Sequence, residues 1–178
     1  MKKNLLILLI AIAFVSMITG CNSLENKSNV EDEKNNPEQT ISIEEKKRME
    51  LYIAVMEGAF REENGGNAFI AVKLDTLEGL SDEAKLEVLK EFRSLSPNAY
   101  NFDDVKDDKD KFEVDEEGRL RRTLDGSLLW VEVEEYNGKK AKITGVSWFG
   151  NLGAVFLNYE VIFVNGEWQL KLINIGVS

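Results

Sequence analysis

The hydrophobic pattern changes character along the chain. Residues 5–15 form an uninterrupted apolar run, and residues 22–40 are polar, with Leu24 and Val30 the only large aliphatic side chains among them. Apolar positions then recur at helical spacing: Met49, Tyr52, Ile53, Met56, Ala59 and Phe60 form one stripe. Ser42-Ile43-Glu44-Glu45 has the form of a capping box, in which the Ser42 hydroxyl accepts from the amide three residues on and Glu45 reaches back. A first helix is therefore predicted to start at Ser42 and to stop at Asn64-Gly65-Gly66. Residues 68–74 alternate weakly, with Ala68, Ile70, Val72 and Leu74 to one side, which predicts a short strand, with a helix as the alternative over so short a window. A second helix follows, with Ser81 as its cap, Asp82 and Glu83 in its first turn, a Leu86, Leu89 and Phe92 stripe, and Lys90 and Arg93 suited to its C-terminal dipole. Pro97 bounds it.

Beyond Arg119 the period is two. Strands are predicted over residues 119–124, 128–136, 139–149, 154–164 and 167–175. Asp125-Gly126, Asn137-Gly138 and Asn165-Gly166 each carry a two-residue hairpin signal, because the favoured hairpin turns need the positive φ that these residues accept. Residues 150–153 turn the remaining connection. In the second strand Leu129, Val131 and Val133 fall on one face and Glu132 and Glu134 on the other. In the fourth, Phe156, Ile162 and Val164 oppose Val155, Leu157, Tyr159, Val161 and Phe163, so a second layer or a partner is expected over part of the second face. Gly145, in mid-strand, marks a bulge or a sharp bend. The pattern predicts an α+β fold in which N-terminal helices pack on a curved antiparallel meander.

The short apolar run follows Lys2 and Lys3 and closes on Ile18-Thr19-Gly20-Cys21, the only cysteine of the 178 residues. Basic residues, a short apolar region and small residues before a cleavage point make a secretory signal, and the run falls below the roughly 20 residues of a membrane span. The motif resembles the lipobox of bacterial lipoproteins. That resemblance implies cleavage before Cys21, a diacylglyceryl group on its sulfur, and an extracytoplasmic domain anchored to the cell membrane. The expected organisation is a signal peptide over residues 1–20, the lipidated cysteine and a disordered spacer over 21–41, and one domain over 42–178.

Charge and composition narrow the chemistry. The formal net charge is −10, and loss of Lys2 and Lys3 on processing would make it about −12. No basic footprint for nucleic acid is present. The sequence has no histidine and its single cysteine is assigned to the anchor, which removes Ser-His-Asp and Cys-His catalysis, imidazole zinc sites, CxxC redox chemistry and disulfides within the domain. No catalytic residue, metal ligand or cofactor is assigned. Residues 101–117 carry nine acidic residues against Lys106, Lys109 and Lys111 and read as a solvated loop. An EF-hand loop beginning at Asp108 would need Gly at its sixth position and Glu at its twelfth, where this chain has Glu113 and Arg119. An irregular oxygen site from Asp103, Asp104, Asp107, Asp108 and Asp110 is the remaining metal reading. Arg119, Arg121 and Arg122 are expected to pair with the neighbouring acids.

Two helices feeding a meander that ends in Tyr159-Glu160-Val161-Ile162-Phe163-Val164-Asn165-Gly166-Glu167-Trp168-Gln169-Leu170 resemble the cystatin-like, NTF2-like cone found in small Gram-positive lipoproteins of unassigned function. The resemblance implies a pocket in the cone, with Trp130, Trp148, Phe149, Phe156 and Tyr159 as candidates to line it. Enzymes of that superfamily commonly use a histidine, which this chain lacks. The expected function is a non-enzymatic, lipid-anchored binding or interaction module that meets an envelope protein or a small apolar ligand. The alternatives are a hydrolase or isomerase using Glu132, Glu134 or Glu160, and a protection or inhibitor lipoprotein docking on a basic partner.

Overall fold

Ser42 begins the first helix by the mechanism its neighbours encode: its hydroxyl accepts from the Glu45 amide at 3.1 Å while a Glu45 carboxylate oxygen accepts from the Ser42 amide at 2.9 Å. The computed structural model describes residues 41–178, so the apolar run, Cys21 and most of the polar spacer lie outside the described residues. Helix α1 spans Ile43–Glu62 and α2 Asp82–Phe92, capped by Ser81. The second Glu45 oxygen accepts from the Ser81 amide at 2.8 Å, so one carboxylate secures the starts of both helices.

Strand β1 (Phe69–Val72) precedes α2, and β2 (Ala99–Asn101), the short helix α3 (Phe102–Val105) and β3 (Phe112–Val114) follow it. Then come β4 (Leu120–Thr123), β5 (Gly126–Tyr136), β6 (Lys140–Gly150), β7 (Gly153–Val164) and β8 (Glu167–Val177). Among the described residues the fold is α+β, with three α-helices and one open sheet of eight strands. Strands β5 to β8 form the expected antiparallel meander. The sheet as a whole is mixed, however, because β1 lies parallel to both β2 and β5. All four residues of β1 are buried, which explains its weak alternation: Ile70 and Val72 enter the helix-side core, and Phe69 and Ala71 enter a second core with Leu128 and Phe112.

Helix α1 packs across β5, β6 and β7. Its fully buried side is Leu51, Tyr52, Val55, Met56, Ala59 and Phe60, whereas Met49 and Ile53 of the predicted stripe are only partly buried. In α2 the buried residues are Ala84, Val88, Leu89 and Phe92, and Leu86 is exposed. The strand register runs through Gly145 without a bulge. A Cβ there would overlap the Val55 carbonyl, so the glycine lets the α1 backbone rest directly on β6.

Asn137-Gly138 and Asn165-Gly166 turn hairpins, the second with positive φ at both residues. Asp125-Gly126 does not. Both β4 and β5 run antiparallel to β6, and Gly150 already pairs Gly153 of β7, so Arg122 must meet it on the edge that β5 also uses. Thus β4 and β5 lie end to end, and Asp125, with φ 62°, makes a kink between them. The Thr123 hydroxyl fastens the kink by donating to the Gly126 carbonyl at 2.5 Å. The hairpin partner of β4 is β3, from the acidic segment. That segment is consequently more structured than a solvated loop: Phe112 is buried, edge-on to Phe69 and Phe102, with Val105 packed against the same cluster.

Candidate functional site

The strand pattern that directs Leu129, Val131, Ile143 and Val161 towards the helices turns the alternate side chains of β5 to β8 to the opposite face. Cross-strand register arranges these into rows. Trp130, Val146 and Phe156 are neighbours in the first, Glu132, Thr144, Asn158 and Asn174 in the second, and Glu135, Lys142, Glu160 and Lys171 in the third. The face thus grades from aromatic to amide and hydroxyl to alternating charge.

Each row is braced. The Trp130 indole meets Phe156 edge-on, with ring centroids 6.5 Å apart, carries the Lys73 ammonium 4.2 Å from its ring centroid, and donates to Glu132 at 3.1 Å. The buried Thr144 hydroxyl donates to the Asn158 side-chain carbonyl at 2.6 Å, which leaves the Asn158 amide protons for another acceptor. Lys142 pairs with Glu135 at 3.2 Å and Lys171 with Glu160 at 3.8 Å. The Lys142 ammonium is held above its usual pKa by its hydrogen bond to Glu135.

Two clefts open on this face. One, of about 540 Å³, is bordered by Glu135, Asn137, Lys140, Lys142, Glu160 and Ile162. The other, of about 260 Å³, is bordered by Glu134, Lys142, Thr144, Asn158, Glu160 and Asn174. They share Lys142 and Glu160, so they adjoin.

The five aromatic candidates are divided between surroundings. Trp130 and Phe156 stand side by side at the edge of the polar rows, and Trp130 and Trp148, which share this face, both pack against the second core. Phe149 lies against Gly65 and Gly153. Tyr159 points to the helix side, beside Ala59 and Gly58 of α1, where burial, with the Glu62 charge secondary, raises its hydroxyl pKa. Of the five, Tyr159 alone borders one of these clefts. The polar residues Thr144, Asn158 and Asn174 were not singled out from sequence. Their signal is present, since Asn158 is a polar position within the otherwise apolar run of β7.

Glu132, Glu134 and Glu160 are all exposed, without the apolar enclosure that makes a carboxyl group a general acid at neutral pH. Part of the acidic segment and two of the three arginines are tied locally: Asp103 to Lys106, Asp108 to Lys111, Arg119 to Asp115 and Glu117, and Arg122 to Glu113. Among the described residues no group of three or more acidic, cysteine or histidine side chains is placed to hold a metal ion. Nor, among them, is any helix long and apolar enough to cross a membrane. Comparison with known proteins gives no match to a family model, to a curated protein or to a solved structure.

Proposed function

We propose that the chain is a lipid-anchored extracytoplasmic binding module with a cystatin-like, NTF2-like domain, and that the face of β5 to β8 turned away from α1 receives its partner. The observation that carries this reading is the pair of adjoining clefts on this face, the smaller of them bordered by Thr144, Asn158, Asn174 and Ile173, one cross-strand row away from Trp130 and Phe156. A ligand site commonly combines apolar surface with a few fixed polar groups, and here the Thr144 to Asn158 bond fixes the amide that would face a ligand. The exposure of Glu132, Glu134 and Glu160 favours recognition over carboxylate catalysis. Cys21 supplies the anchor in this reading, and two acyl chains are sufficient for stable attachment where one is marginal. The partner is an envelope protein or a small molecule with both apolar and hydrogen-bonding surface.

A photo-reactive amino acid placed at position 158 and, as a control, at exposed Glu83 on α2 tests the face in living cells. A discrete adduct is expected from position 158 and not from position 83. No adduct at 158, or the same adducts at both positions, would overturn the assignment.

A further inference from the structure

Among the described residues strand β8 pairs only with β7 and forms an edge of the sheet. Its first half is covered: Trp168 and Leu170 pack against the helix-side core, and the Trp168 indole donates to the Lys47 carbonyl at 2.7 Å. Its second half is not. Leu172, Ile173, Ile175 and Val177 are exposed by 44, 51, 43 and 71 %. Natural edge strands usually carry charge or proline against further pairing, and residues 172–177 carry neither.

The apolar positions are arranged symmetrically. Leu172 pairs Tyr159, Ile175 pairs Leu157 and Val177 pairs Val155, all on the helix side, while Ile173 is the extra residue of a bulge. The bulge reverses the alternation. A two-fold axis between Ile173 and Asn174 would therefore set Leu172 against Ile175 and Leu170 against Val177 of a second, antiparallel β8 on one face. It would set Lys171 against Gly176 on the other face, with no like charges opposed.

We propose that β8 is a homodimerisation edge, its second half pairing antiparallel with the same segment of another copy to form one continuous sheet. The pattern is self-complementary, as an isologous contact requires. A seam one strand deep is smaller than the roughly 1,600 Å² of a standard interface, so the dimer is reversible and its population rises with concentration.

Sedimentation of the full chain in detergent micelles over a hundredfold concentration range tests this. A monomer–dimer equilibrium is expected, with at least a tenfold weaker association in Ile175→Lys. Val177→Lys, at the more exposed position, provides the reading if Ile175→Lys loses its native circular dichroism. A monomer at every concentration, open-ended growth past the dimer, or association indifferent to the folded lysine variant would overturn the proposal.

Discussion

Glu45 shows how much one side chain can hold. Hydrogen bonds from the Ser42 amide first, and from Ser81, lower its pKa from 4.5 to about 2. A carboxylate with a depressed folded-state pKa contributes stability above its unfolded pKa and loses it as the pH falls through the folded one. Glu45 therefore stabilises the helix starts fully above about pH 4.5, and the contribution disappears towards about pH 2. Glu45→Gln should lower the melting temperature near neutral pH and flatten its decline across that window. The residual slope belongs to Asp108 and Asp115, whose carboxyls are also held low, by Lys111 and by the Arg119 amide. An unchanged acid slope in thermal melts of the variant would contradict this role. The Ser42 half of the clamp was legible as a four-residue motif. The Ser81 half was not, because it depends on two helices meeting 36 positions apart in sequence.

At the scale of elements, local signals succeeded where their partners are also local. Asn137-Gly138 and Asn165-Gly166 join strands that pair with each other. Asp125-Gly126 has the same chemistry but serves a kink, since a positive φ permits either a reversal or an offset and the choice depends on which strand lies opposite. Charge density hid β3: Phe112 decides the fate of its segment by filling the space beside Phe69, whatever its acidic neighbours suggest. The α1 stripe was legible in kind but not in phase. Met49 and Ile53 match the helical period as well as Leu51 and Val55 do, and contact with the sheet selects the latter pair for full burial. Gly145 carries the tightest test at this scale. Gly145→Ala forces a methyl group against the Val55 carbonyl and should cost about 1–3 kcal/mol in chemical denaturation. Unchanged stability would mean that α1 does not approach β6 so closely.

For the molecule as a whole, the candidate aromatic residues were visible individually, but their separation depended on strand register and the α1 approach. Register brings Trp130 and Phe156 together and sends Tyr159 to the opposite face. The same register assembles the row of Glu132, Thr144, Asn158 and Asn174 from four strands, which no local motif could announce. In the proposed function, that face is presented outside the cell on a lipid tether. The net charge of −10 works against adhesion to an anionic leaflet, so the proposed attachment rests on a lipid at Cys21. Membrane fractionation of cells carrying the full chain or its Cys21→Ser variant, with intact-mass measurement of each product, tests this most directly. Lipid anchoring at Cys21 predicts a membrane-bound, detergent-released form whose mass reflects loss of residues 1–20 and gain of acyl chains, and an unlipidated, uncleaved variant. An unmodified full-length chain, or a variant still acylated and cleaved at the same point, would contradict it.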